Sequence, residues 1–181
     1  MKILGVGLSR TGTLSLTKAL SLIGFNAVHW EPQRLRDVVL GQNVNPNFRR
    51  YDDVEVVTDL PAAAFYKELK LAYPDCVFIL TIRNVDDWYK SIKRHWQGVC
   101  QRLSGVQLQE AIAIHRFVYG SEEPSEFLYK KKFNEHTQNI LREFPDTLVL
   151  NIPGGSQWVH LCNFLSVDIP NLPFPHENRG I

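Results

Sequence analysis

The chemistry of this chain is concentrated near its start. Residues Gly7-Leu8-Ser9-Arg10-Thr11-Gly12-Thr13 follow an apolar run, Ile3–Val6, and precede a helical run from Leu14 to Ile23. The pattern is G-x-x-x-x-G and then a hydroxyl residue, at a strand-to-helix turn. Such a turn can cradle a phosphate: its glycines let the backbone approach an anion, and the unused N–H groups of the helix start point at it. The usual nucleotide loop continues G-K-[ST]. Here Thr13 follows Gly12 directly, and the nearest cation is Arg10, inside the loop. The spacing predicts an anion site built from Ser9, Arg10, Thr11, Gly12, Thr13 and Leu14. It argues against a standard Mg-nucleotide hydrolase.

S-R-T-G-T resembles the 5′-phosphosulfate loop of sulfotransferases, P-K-S-G-T. That loop also lacks the lysine and carries its cation two residues before the glycine, where Arg10 stands. Sulfotransferases take a sulfuryl group from 3′-phosphoadenosine-5′-phosphosulfate (PAPS). A second match is Ile82-Arg83-Asn84-Val85-Asp86-Asp87, with Ser91 eight residues after Arg83. The resemblance implies that Arg83 and Ser91 bind the donor's 3′-phosphate. A guanidinium suits that role through bidentate, always-charged bonds, and a helix serine adds a donor. The alternative is an Arg83 paired with Asp86 or Asp87 and a solvated Ser91.

The third match is Thr58-Asp59-Leu60-Pro61, where sulfotransferases carry T-H-L-P with the histidine as base. The resemblance implies Asp59 as proton acceptor, which a carboxylate can be if partial burial raises its pKa. Asp59 is equally a good N-cap for a helix opening at Pro61, and the two roles are compatible. His29, in His29-Trp30-Glu31, is the alternative base, with Trp30 as a wall of the acceptor pocket. A core-edge histidine without a special role is the competing reading.

The chain also departs from the family. Ser15 stands where an aromatic often stacks on adenine. The C-terminal glycine-rich basic loop, R-K-G-x-x-G, has only faint echoes at Gly154-Gly155 and Arg179-Gly180. The resemblance is strongest to a divergent, mostly bacterial branch of sulfotransferase-like proteins. It rests on R-T-G-T-L-S-L, on D-x-P-x-x-x-F-Y-x-E-L from Asp59 to Leu69, on I-L-T-I-R, and on P-F-P-H-x-N from Pro173 to Asn178. These runs are spread over nearly the whole chain. The implied activity is PAPS-dependent sulfuryl transfer to a small alcohol, phenol or amine. Arg10 and Asp59 would be catalytic, and no metal would be needed. Two rivals stay open. One is a P-loop small-molecule kinase, with Arg10 replacing the lysine and Thr13 on Mg²⁺. The other is a catalytically inactive nucleotide-binding protein.

These side chains need a scaffold, and the chain supplies one. Apolar runs at Lys2–Val6, Asn26–Trp30, Val54–Thr58, Cys76–Ile82 and Thr147–Ile152 are continuous, as parallel strands covered on both faces should be. Helical stretches alternate with them. Thr13–Ile23 ends at Gly24, and Pro61 to about Ala72 ends at Tyr73-Pro74. Asn84 caps a helix reaching about Arg102, and Val106–Val118, Ser125–Phe144 and Ser156–Leu165 follow. The expected architecture is a P-loop-type, three-layer α/β fold with a mainly parallel five-stranded sheet. A helical insertion between the fourth and fifth strands should lie over the sheet's carboxyl edge.

At 181 residues the chain reads as a single domain, 1–181. A net charge of +1 argues against nonspecific nucleic-acid binding. Lys130-Lys131-Lys132, with Lys93 and Arg94, reads as a solvated helix face or an anion-attracting rim. Trp88, Trp96, Phe117 and Tyr119 are expected to pack the insertion helices. The three cysteines are far apart, with Cys76 and Cys162 in apolar runs, which suits buried thiols and a cytoplasmic protein. No signal peptide and no membrane-spanning run is visible.

Overall fold

The computed structural model describes residues 1–152 and 157–177. Its order is β1 (Ile3–Gly5), α1 (Thr13–Leu22), β2 (Ala27–His29), α2 (Arg36–Val39), β3 (Val56–Thr58), α3 (Tyr66–Ala72), β4 (Val77–Thr81), α4 (Val85–Arg102), α5 (Gly105–Tyr119), α6 (Glu126–Glu143), β5 (Leu148–Leu150) and α7 (Gln157–Leu165). The five strands form one all-parallel sheet in the order β2-β3-β1-β4-β5. Ile3 of β1 pairs with Val56 on one side and Val77 on the other, so β1 is central. From β1 the chain goes to the edge strand β2, steps back to β3, and then crosses β1 to β4 and β5, so the connections change direction beside β1, where a crevice opens at the carboxyl ends.

The apolar strands split their side chains between two cores. Ile3, Val56, Ile79 and Leu150 face α1 and α7, meeting Leu16, Ala19, Leu20, Leu161 and Cys162. Leu4, Val57, Phe78 and Leu80 face the other way, against Phe65, Tyr66 and Leu69 and against Ile140 of α6. Helices on both faces make three layers. A third cluster, with Trp88, Ile92, Ile114, Tyr119, Tyr129 and Phe133, fills the space beneath α4, α5 and α6. The expected α/β architecture and the position of the helical insertion are therefore found.

Local signals account for some element ends. Gly24 takes a left-handed φ of 99° after α1, and the Phe25 N–H bonds back to Leu20 O. The Asn84 side chain accepts from the N–H groups of Asp86 and Asp87, which starts α4. The helix expected to open at Pro61 begins differently. Residues Ala62–Phe65 form a 3₁₀ turn, and α3 starts only at Tyr66. Asp59 takes a left-handed φ of 69°, which turns its carboxylate away from this turn, and no side chain caps it. Residues Pro32–Val39, not assigned to an element from sequence, hold a 3₁₀ turn and the short α2.

Trp88, Trp96 and Tyr119 are buried as expected, whereas Phe117 is 47% exposed and stacks on Phe65 at 4.9 Å. Cys76 and Cys162 are buried and Cys100 is exposed. Lys130 pairs with Asp86 and Glu126, and Lys131 and Lys132 pair with Glu135, so this run is a solvated, paired helix face. Among the described residues, no helix is long and apolar enough to cross a membrane.

Candidate active site

A cavity of about 680 Å³ lies along the carboxyl edge of the sheet. Its floor is the turn between β1 and α1, with Ser9, Arg10, Thr11, Gly12, Thr13, Leu14 and Ser15 all lining it. Gly12 is the N-cap of α1, at a φ of 105°. That conformation is natural only for glycine. A Cβ there would also stand 2.7 Å from Ile152 Cγ1. The first turn of α1 has N–H groups that the helix does not use, and it carries no acidic residue. The helix start therefore offers partial positive charge to the cavity.

The loop is locked from outside. Thr11 Oγ1 donates to Leu8 O at 2.7 Å and meets Thr81 Oγ1 at 2.6 Å. The indole of Trp88 donates to Ser9 O at 2.9 Å, which ties α4 to the loop. Arg10 sits at a left-handed φ of 72°, and its Nε donates to Ser91 Oγ at 3.3 Å. Burial lowers the pKa of Arg10; nearby Asp59 works against this, and Arg83 and Arg94 add to it. An anion would relieve that crowding of positive charge. Arg83 lines the same cavity, and Asp86 and Asp87 pair with Lys130 and Lys90 instead of with Arg83. Ser91 does not line the cavity; it reaches the site through its bond to Arg10.

Asp59 and His29 stand together on the β2–β3 side. His29 Nε2 lies 2.9 Å from Asp59 Oδ2, and Thr13 Oγ1 donates to the same oxygen at 2.9 Å. Ser9 Oγ and the Leu60 N–H donate to Oδ1. Asp59 is 5% exposed. Burial pushes its carboxyl up, but His29, by hydrogen bond and charge, pulls it down with Ser9 and Leu60, and the net direction is down. This reverses the expectation of a carboxyl raised by burial, because the loop hydroxyls and His29 solvate the anion in place of water. The choice between Asp59 and His29 also changes form, since the two are one hydrogen-bonded pair. His29 lines the cavity and is the more exposed partner.

Lining residues from α4 and α5 had not been singled out from sequence. His95, Val99 and Leu103 come from α4 and its end, and Ala111 and His115 from α5. His95 follows Ser91 by four residues, one helical turn along the same face, and that spacing was the available signal. His176 and Glu177 close the opposite end, where the Glu177 N–H donates to Ser15 Oγ at 2.9 Å. Trp30 lines the wall beside His29, at a φ of 55°. Arg10, Trp30 and Asp59 are thus three non-glycine residues in left-handed backbone around one cavity. Such strain gathers where a site is held in a required geometry. Gly154-Gly155 and Arg179-Gly180, the echoes of a closing loop, lie outside the described residues, as do Ser156 and Asn178. Among the described residues, no group of three or more His, Cys, Asp or Glu could hold a metal ion.

Comparison with known proteins agrees with this arrangement. A sequence model described as "Sulfotransferase domain" matches residues 2–180. The chain is also 27% identical to "Ava biosynthesis cluster protein M" of Aspergillus versicolor, over 97% of this chain and 80% of that protein. A family match over nearly the full length, on a five-stranded parallel sheet with a glycine-containing turn after its central strand, shows that this chain belongs to the sulfotransferase domain family.

Proposed function

We propose that the protein is a sulfotransferase that moves the sulfuryl group of PAPS to a small hydroxyl or amine acceptor. The observation that carries this reading is the convergence of the α1 N-terminus, Arg10 and Arg83 on one cavity large enough for a nucleotide. The N–H groups from Gly12 to Ser15 would hold the 5′-phosphosulfate, and Arg83 would read the 3′-phosphate. Ser91 would act by fixing Arg10, its hydrogen-bonded partner.

In the transfer itself the acceptor atom attacks sulfur, and the bond from sulfur to the 5′-phosphate oxygen breaks. The acceptor's proton passes to the Asp59–His29 pair, and adenosine 3′,5′-bisphosphate departs. Arg10 and the loop N–H groups stabilise charge on the transferring group and the leaving phosphate. Asp59 holds the His29 ring in position, as a carboxylate does for a base whose second nitrogen must stay available.

The test is calorimetric. Adenosine 3′,5′-bisphosphate is expected to bind more tightly than adenosine 5′-phosphate. Arg83→Ala is expected to erase most of that difference, about ten- to a hundredfold. Equal affinity of the wild type for the two nucleotides would overturn the donor assignment. Tighter binding of ATP with Mg²⁺ would favour a kinase.

A further inference from the structure

His29 stands on β2, an edge strand that pairs with β3, so the sheet holds it from one side. The next residue, Trp30, keeps one further bond to β3, from its N–H to Thr58 O at 3.3 Å, and then turns the chain at a left-handed φ of 55°. A non-glycine residue keeps such a backbone where its surroundings fix it from several sides. Beyond Trp30 that fixing falls to Glu31, whose carboxylate accepts from Nε of Arg34. Arg34 is itself firmly anchored. Nη1 donates to Arg50 O at 2.6 Å, and Nη1 and Nη2 grip Asp53 at 2.5 and 2.9 Å. The guanidinium also lies 5.1 Å over the ring of the buried Tyr51. Arg50 returns the contact: Nη1 donates to Arg34 O at 2.6 Å, and its guanidinium grips Asp37 at 2.5 and 2.8 Å. Each arginine holds the other's main chain.

We propose that Arg34 is a positioning residue for the base, fixing the Trp30 turn through Glu31 and so holding the His29 ring against Asp59. This rests on the reading of the Asp59–His29 pair as proton acceptor. The route is short, because Glu31, Trp30 and His29 are consecutive. The clasp also brackets β2 at both ends. Glu31 lies just after the strand, and Asp53 O accepts from Nδ2 of Asn26, just before it. His29 Nε2 meets Asp59 Oδ2 at 2.9 Å, across the ends of two strands. That bond keeps its geometry only if the edge strand cannot drift, and an error of about 1 Å in such a group can cost a hundredfold in rate.

The alternative is a clasp that serves folding alone, and the two carboxylates on Arg34 separate the cases. A folding clasp responds similarly to the loss of either one, since both grip the same guanidinium near the surface. A positioning clasp responds far more to Glu31, which adjoins the Trp30 turn, than to Asp53, which precedes β3. The fork matters as well as the charge. Arg34 reaches Glu31, Asp53 and Arg50 O at once through Nε, Nη1 and Nη2, and a lysine ammonium has no such spread.

The experiment labels the histidines of the full chain with ¹⁵N and identifies the His29 ring by its loss in His29→Gln. In the wild type the ring nitrogens should give one set of signals, with a proton held on Nε2 toward Asp59. Glu31→Gln keeps the size and removes the charge that Arg34 grips; it should average these signals toward a mixture of tautomers. Asp53→Asn should leave them unchanged. Transfer from PAPS to 2-naphthol, used as a probe acceptor, should follow the same order. In Glu31→Gln kcat should fall about tenfold with the KM for PAPS within about twofold, and in Asp53→Asn kcat should stay within about twofold. Arg34→Lys should lie between wild type and Arg34→Gln in both readouts. Unchanged His29 signals in Glu31→Gln and Arg34→Gln would overturn the proposal, as would equal changes in Glu31→Gln and Asp53→Asn. A wild type that binds no adenosine 3′,5′-bisphosphate and transfers nothing from PAPS would overturn the sulfotransferase reading, while the ring signals still decide the positioning role.

Discussion

Four donors converge on the Asp59 carboxylate: Ser9, Thr13, His29 and the Leu60 N–H. Each bond favours the anion over the acid, which makes Asp59 alone a poor proton acceptor. On the proposed mechanism His29→Gln should therefore lose about 100- to 10,000-fold in transfer rate with little change in stability, since the ring is partly exposed. Asp59→Asn should lose activity and stability together. Its amide N–H₂ would face a donor with no acceptor to meet, at a cost of about 1–3 kcal/mol in urea unfolding. The pH dependence has a definite sign. Because the folded carboxyl lies below its ordinary 3.8, Asp59 stabilises the fold above that value. This contribution is lost as pH falls through the folded value. The gap in unfolding free energy between wild type and Asp59→Asn should be full at neutral pH and narrow below about pH 4.

The turn between β1 and α1 depends on close backbone approach. A Cβ on Gly7 would stand 2.0 Å from Thr81 Oγ1 and 2.8 Å from Thr81 O, so β4 blocks any side chain there. Gly7→Ala should destabilise by about 1–3 kcal/mol, the cost of forcing volume into a packed interior. At Gly12 a side chain would meet both Ile152 and a left-handed backbone. Trp88 couples a second element to this turn, through its bond to Ser9 O and its contact with Phe133 at 4.5 Å. Trp88→Phe should cost about 1–3 kcal/mol in urea unfolding, combining a lost buried bond with a partial cavity. It should also weaken adenosine 3′,5′-bisphosphate, because the loop loses the strut that orients it. Unchanged nucleotide affinity in a destabilised Trp88→Phe protein would show that the strut serves folding only.

The cavity draws its walls from both ends of the chain. After α7 the chain returns to α1: the Trp158 indole donates to Leu172 O at 2.7 Å, Phe174 packs on Trp158 at 4.9 Å, and Glu177 pairs with Lys18 at 2.8 Å. These contacts place His176 at the cavity edge beside Ser15, the position where the family often carries an aromatic. Phe174→Ala is expected to cost about 1–2 kcal/mol, less than a fully buried phenylalanine, and to loosen the His176 end of the cavity. Limited proteolysis should then cut near residues 170–177 sooner than in the wild type, with β1 and α1 unaffected. An unchanged cleavage pattern would show that the Phe174 contact does not hold this return segment in place.

The sequence by itself determined the elements and the nature of the floor. Continuous apolar runs specify buried parallel strands, Gly24 and Asn84 mark helix ends, and Gly7 to Thr13 marks a glycine-bounded turn between strand and helix, the kind of turn that suits an anion. All of these act between residues close in the chain, so they are legible in one dimension. Tertiary structure decided the rest. Strand order set β2 beside β3, which joined His29 to Asp59 and turned two rival bases into one pair. The same pairing reversed the expected direction of the Asp59 pKa: burial raises it, but His29 from the neighbouring strand, with Ser9 from a turn about fifty residues away, outweighs that burial. The rotation of α4 over the sheet edge chose which of its polar residues, His95 among them, meet the cavity, and the packing of α5 committed His115 but not His95. Sequence patterns record which face of an element is apolar. What that face meets follows only when distant elements pack, since burial and charge are summed over all of them at once.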